Sequence, residues 1–175
     1  MENGQNEEAE DAFLRALALN GDFAHVHNNM GKLCRSRQDL DGAEREYRTA
    51  LELDPKSSVA ASNLGSLLVE RGEYVEARKW FDLVMELDPS HSAYNGLGML
   101  YQSMNDQKEA IKCFKTALEL EPKSAEVLNN MAISYQSLGK YDEAARYYNM
   151  VFDVKPEQDE AYVNLANMLL SQSLY

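Results

Sequence analysis

The fold the sequence predicts is an all-α solenoid of stacked antiparallel helix hairpins. Three observations carry the prediction: a six-residue phrase that returns at a fixed interval, two helical periodicities inside each interval, and turn-forming residues between them. The phrase is "ALELDP" at 50–55, "VMELDP" at 84–89, "ALELEP" at 117–122 and "VFDVKP" at 151–156. A weaker copy, "ALALNG", stands at 16–21 with Gly21 in place of the proline. Pro55, Pro89, Pro122 and Pro156 are 34, 33 and 34 residues apart, and Gly21 precedes Pro55 by 34. A period in this range belongs to repeat architectures, whose units bury their apolar faces only against neighbouring units.

The first periodicity places Ala61, Leu64, Gly65 and Leu68 on one helix face. It returns as His27, Met30, Gly31 and Cys34, as Tyr94, Leu97, Gly98 and Tyr101, and as Leu128, Met131, Ala132 and Tyr135; steps of three and four keep such residues on one side of a helix. The second places Ala77, Phe81, Val84 and Met85 together, matched by Ala43, Tyr47, Ala50 and Leu51, by Ala110, Phe114, Ala117 and Leu118, and by Ala144, Tyr148, Val151 and Phe152. Gly65 and Ala77 remove bulk so that the two helices approach closely, and Phe81 is expected to fill space toward the next repeat. "ERGEY" at 70–74, "SMNDQ" at 103–107 and "LGKY" at 138–141 supply the turns. The proline, lacking an N–H and disfavouring helix in the residue before it, is expected to end the second helix at Leu53, Leu87, Leu120 and Val154.

In chain order this gives one array over 1–175. It opens with a lone second helix at about 6–20, with Ala9, Phe13, Ala16 and Leu17 on its apolar face. Hairpins follow at 24–57, 58–90, 91–124 and 125–158. A lone first helix at about 159–173 carries Tyr162, Leu165, Ala166 and Leu169. These residues resemble the tetratricopeptide repeat: an aromatic or small residue, then Leu-Gly, Tyr, Ala, an aromatic, Ala and Pro. The clearest copies are "ASNLGSLL" with "EARKWFDLVMELDP" and "YNGLGMLY" with "EAIKCFKTALELEP". The departures are His27, Ala132 and Ala166 for glycine at the latter two, Gly21 for proline, and one residue missing after Pro89. The resemblance implies a right-handed superhelical array whose first helices line a concave face, and a protein-binding function.

The charge balance narrows the partners. Lys and Arg number 17 against 29 Asp and Glu, a formal net charge of −12, which repels phosphate backbones and anionic membranes. Neither nucleic acid nor a membrane surface is expected, and with no apolar run near membrane-span length and an acidic opening "MENGQNEEAE", the expected location is cytoplasmic. Cys34 and Cys113 fall about two repeats apart, too far for a disulfide, and Cys34 occupies a core slot filled elsewhere by Leu68, Tyr101, Tyr135 and Leu169.

No catalytic residue, cofactor or metal site is expected. Gly31-Lys32 lacks the glycine a phosphate-cradling loop needs five residues before Gly31, where Val26 stands. Asp39, Asp41 and Gly42 lack the remaining ligands of a calcium loop. His25 and His27, two apart, point to different sides of a helix. Acidic pairs such as Asp142-Glu143 sit where carboxylates favour a helix N-terminus, and Trp80 reads as packing against a neighbouring hairpin.

The candidate site is the first-helix face. Asn29, Asn63, Asn130 and Asn164 each lie eight residues past a proline or its substitute, with Gly96 breaking the series in the shortened repeat. A carboxamide can bond a peptide unit's N–H and C=O together; the alternative is that these asparagines brace the neighbouring helix. Asn95 and Asn129, like Asn28, sit one residue ahead of that slot. Gln102, Gln136 and Asn167 extend the lining with Ser66, Met99, Ile133 and Val163, and His25, Lys32 and Arg35 form its basic end. Family members that clamp an acidic chaperone tail use lysines and an arginine on successive first helices. The slots here hold Asn28, Lys32, Asn63, Ser92 and Gly96, so that clamp is not assembled. The asparagine series instead resembles the peptide-reading ladder in the repeat arm of a glycosyltransferase.

The leading reading is therefore a non-catalytic protein-protein interaction module, a scaffold that binds an extended or helical segment of another protein or peptide. The alternatives are a substrate-targeting arm of a larger enzyme such as a glycosyltransferase, and a self-assembling scaffold. The pattern at 6–20 and the pattern at 159–173 are two halves of one hairpin, which implies weak head-to-tail self-association.

Overall fold

The structure, a computed structural model, describes residues 23–173 and Arg15. Apart from Arg15, the helix expected at 6–20 lies outside the described residues. Nine helices and no strands are present among the described residues: α1 (Ala24–Ser36), α2 (Leu40–Leu53), α3 (Ser58–Glu70), α4 (Tyr74–Leu87), α5 (His91–Ser103), α6 (Gln107–Leu120), α7 (Ala125–Ser137), α8 (Tyr141–Val154) and α9 (Asp159–Ser173). Contacts divide the chain between Asp88 and Pro89 into two units. In the first, α1 pairs with α2, α3 with α4, and α2 packs on α3. In the second, α5 pairs with α6 and α7 with α8, α6 packs on α7, and α9 lies against α8 and α7.

Each second helix stops at the predicted residue, Leu53, Leu87, Leu120 or Val154. The residue that follows and precedes the proline is extended: φ is −133° at Asp54, −152° at Asp88, −135° at Glu121 and −142° at Lys155. Proline's Cδ excludes the helical region there, so the helix has no route onward. Ser57 and Ser124 then start the next helices by accepting hydrogen bonds from the backbone N–H of Ala60 and Val127. The loop at 88–90 is one residue shorter than those at 54–57 and 121–124, and Ser90 makes no side-chain cap. Within the hairpins the turn needs one left-handed residue each time: Gln38 (φ 64°), Gly72 (77°), Asn105 (62°) and Gly139 (70°).

The hairpin cores depend on close approach of the paired helices. A Cβ on Gly31 would fall 2.5 Å from the Tyr47 ring, and one on Gly65 would fall 3.1 Å from the Phe81 ring. Gly98 stands equally tight against Phe114. The Phe81 ring lies on the glycine of its own hairpin, and the equivalent rings Phe114 and Tyr148 also share core clusters with Val127 and Met131, and with Ala161 and Met168, of the following first helix, the direction expected for this aromatic. Tyr47, Phe81, Phe114 and Tyr148 are almost wholly inaccessible to solvent. Each removes a large apolar area from water, worth about 1.5–3 kcal/mol. Trp80 is half-buried beside Arg48, Leu51 and Glu52 of the preceding hairpin. Cys34 and Cys113 form no disulfide and are each half-buried.

Candidate partner-binding face

Within the first unit the face is made by α1 and α3. Asn28 is buried, and its Oδ1 accepts a hydrogen bond of 2.7 Å from Asn63 Nδ2 on α3. Asn29 is half-buried and His25 exposed, the latter with its ring 5.2 Å from that of Phe23. Lys32 is exposed. Arg35 is spent on its neighbour: Nε donates to Glu70 at 3.2 Å and a terminal nitrogen lies 3.0 Å from the same carboxylate. The basic end therefore carries less unpaired charge than its sequence suggests. His27 reaches Glu46 on the paired helix at 2.8 Å, turned away from its near neighbour His25.

Within the second unit α5, α7 and α9 carry the corresponding residues. Asn130 Nδ2 donates to Asn95 Oδ1 at 3.1 Å, repeating the Asn63–Asn28 bond with the same separation along the chain. Asn95 is buried and donates its own amide to Glu126 at 2.8 Å. Gln102 Nε2 donates to the Asn130 carbonyl at 3.1 Å and to Ser134 Oγ at 3.0 Å. Gln136 Oε1 accepts from the Tyr148 hydroxyl at 3.0 Å, which ties the face to the hairpin core. Asn129 is 5% exposed, and its buried Oδ1 has no partner among the described residues. Asn164 is half-buried and Asn167 exposed on α9.

The predicted residues thus fall into two groups. Asn63, Asn95, Asn130, Gln102 and Gln136 hold neighbouring helices, so bracing is part of what they do. Asn29, Asn164, Asn167 and Lys32 make no side-chain hydrogen bond among the described residues. Bracing uses only one amide hydrogen of Asn63 and of Asn130, leaving each an acceptor oxygen and a second donor hydrogen. Sequence reading missed Glu126 and Ser134 as partners. The signal that finds them is the step between successive first helices, one residue longer than the repeat period for the Asn–Asn pairs and shorter for these two.

Elsewhere the polar contacts are structural. On the outer helices of the first unit, Arg48 bridges Glu44 and Glu76, each at 2.8 Å, while Arg71 reaches Asp41, Glu44 and Glu73. The Arg48 hydrogen bond holds the Glu76 carboxyl below the usual carboxylate range against the opposing effect of burial. No group of three or more His, Cys, Asp or Glu side chains is placed to hold a metal ion among the described residues. Nor is any helix among them long and apolar enough to cross a membrane.

Known proteins agree with this architecture. Family models described as tetratricopeptide repeat match residues 1–58, 56–123 and 113–146. A stretch of 42 residues is 40% identical to the N-terminal acetyltransferase A complex auxiliary subunit NAA15 of Arabidopsis thaliana, covering 24% of this chain and 5% of that protein. Among solved structures, a thermophilic tetratricopeptide protein of Thermus thermophilus superposes with a TM-score of 0.84 at 20% identity, over 97% of this chain and 93% of that one. YrrB, described as a tetratricopeptide protein with an unusual peptide-binding site, superposes with a TM-score of 0.64 at 24% identity, over 93% and 84%. Hairpins of constant period, a glycine-on-aromatic contact in each of the first three, and family matches running without a gap over residues 1–146 lead to one conclusion: the chain belongs to the tetratricopeptide repeat family.

Proposed function

We propose that the chain is a non-catalytic interaction module that holds an extended or helical partner segment on the face lined by its first helices. Tetratricopeptide arrays act generally as protein-interaction scaffolds, and the finer reading rests on the asparagine pairs. Each pair, Asn28–Asn63 and Asn95–Asn130, positions a carboxamide by one bond and leaves its remaining donor and acceptor uncommitted. A positioned carboxamide loses little freedom on binding and matches the N–H and C=O of a peptide unit. The lining is polar and mostly uncharged, which suits main-chain recognition over recognition of a charged terminus.

The test begins with segments selected from a displayed peptide library and proceeds to calorimetry. Asn29→Ala with Asn164→Ala removes two carboxamides that brace nothing among the described residues, so the fold stays intact by circular dichroism. Affinity for the selected segments is expected to fall about tenfold or more, each lost hydrogen bond costing about 1 kcal/mol. Unchanged affinity in this variant and in Asn63→Ala with Asn130→Ala overturns the role of the asparagines.

The 42-residue likeness to an auxiliary subunit of an acetyltransferase complex favours a second reading, in which this module serves an enzyme as an arm or subunit. Crosslinking in the native source, followed by identification of the attached chain, distinguishes it: a catalytic polypeptide bound stoichiometrically supports the second reading, and a non-enzymatic partner removes it.

A further inference from the structure

We propose that the face formed by α5 and α7 takes one basic side chain of the partner segment, arginine or lysine, with the Glu126 carboxylate as its acceptor; this rests on the reading of that face as partner-binding. Glu126 is exposed in the first turn of α7. A helix N-terminus favours an acid there, but the dipole does not account for how this one is held. Asn95 on α5, 7% exposed, donates to Glu126 Oε1 at 2.8 Å and accepts at its own Oδ1 from Asn130 at 3.1 Å. A buried carboxamide with both ends in use thus fixes an exposed carboxylate on the face.

That charge has no counterpart. Glu44, Glu70, Glu73, Glu76 and Glu109 each face an arginine or a lysine, whereas Glu126 makes no ion pair among the described residues. The helices α5, α7 and α9 contain no lysine or arginine at all, and one period on from Glu126 the same slot holds Glu160. Further acceptors stand beside Glu126 on α7. Asn130 has an uncommitted Oδ1, and Asn129, 5% exposed, keeps a buried Oδ1 with no donor. Folded chains seldom leave a buried acceptor unmet, and an incoming N–H is what this one lacks. Positions i, i+3 and i+4 of a helix lie about 5–6 Å apart at Cβ, so one head group can address more than one of them. An ammonium brings three donors and a guanidinium five, neither with an acceptor to conflict. The chain's net charge of −12 adds a long-range attraction for such a group.

The test pans a displayed peptide library on the native chain, on Glu126→Gln and on Glu119→Gln. Glu126→Gln keeps an acceptor oxygen for Asn95, so its fold is expected to stay intact by circular dichroism. Glu119, exposed on the second helix α6, loses the same charge elsewhere. Segments held by the native chain and by Glu119→Gln are expected to share an arginine or lysine at one position, and those held by Glu126→Gln to lose it. Calorimetry then compares a selected segment with a twin carrying citrulline for the arginine or norleucine for the lysine. The twin is expected to bind the native chain about tenfold more weakly, the size of one charge-assisted hydrogen bond. On Glu126→Gln the two are expected to bind within about twofold of each other. Segments without a fixed basic residue, a twin that binds the native chain as tightly, or an equal loss in Glu119→Gln overturns the inference. If such segments are still weakened by Asn29→Ala with Asn164→Ala, the main-chain reading stands while this inference falls; a native chain that holds no segment removes both.

Discussion

α7 and α9 are the same helix written twice, with Leu128, Met131, Ala132 and Tyr135 in one and Tyr162, Leu165, Ala166 and Leu169 in the other. In α7 the first three are shut away from solvent; in α9 the set ranges from half-buried to half-exposed. Even the ring contacts differ: Tyr135 stacks on Tyr147 across its own hairpin, whereas Tyr162 stacks at 3.9 Å on Phe152 of the preceding helix. An apolar stripe in a repeat protein is thus a potential for burial, and the neighbour decides whether it is realised.

The largest expected difference between the two helices is energetic. Leu128→Ala opens a cavity in the α7–α8 core and is expected to cost about 2–5 kcal/mol, whereas Leu169→Ala on α9 stays within about 0.5 kcal/mol. Chemical unfolding of the full chain at low concentration measures both, and equal losses would remove the distinction drawn here. A smaller effect separates the small residues. Gly98→Ala forces a methyl into the Phe114 ring and is expected to cost about 1–3 kcal/mol. Ala166→Ser, at the register-equivalent but exposed position, is expected to change the unfolding midpoint by less than can be assigned to packing.

A last effect is read in alkali. Burial beneath α7 and α9, with Glu160 nearby, pushes the Tyr148 hydroxyl up to about 12. An unfolded tyrosine titrates near 10, so between about pH 10 and 12 the unfolded chain gives up this proton first and stability falls with rising pH. At about 1.4 kcal/mol per unit over these two units the total is about 3 kcal/mol. Below pH 10 no contribution is expected. Tyr148→Phe should reduce the slope in that window, and an unchanged slope would show that this hydroxyl titrates as freely as an exposed one.

Much of the hairpin could be read in advance because its signals are local. A proline acts on its own residue and the one before it, so Leu53, Leu87, Leu120 and Val154 are recoverable as helix ends. The left-handed turn residue was legible at Gly72 and Gly139 but not at Gln38, whose side chain gives no hint of positive φ. That Phe81 seats on Gly65 of its own hairpin was not legible, because a helix face says that a ring is buried and not which residue it lies on. Arg35 looked like an available cation until Glu70, one repeat on, was placed beside it. Gln136 looked like groove lining, and its oxygen turned out to serve the Tyr148 hydroxyl.

By itself the sequence determined the period, the pairing of helices into hairpins and the face on which the asparagines stand, since all three follow from spacing along a helix and from backbone restrictions that act within a few residues. Only the tertiary structure decided which asparagine donates to which. Asn63 reaches Asn28 and Asn130 reaches Asn95 because successive first helices are staggered so that side chains one residue out of repeat register face each other. A hydrogen bond tolerates only a few tenths of an ångström of misplacement, so a contact of this kind depends on the packing of the whole unit.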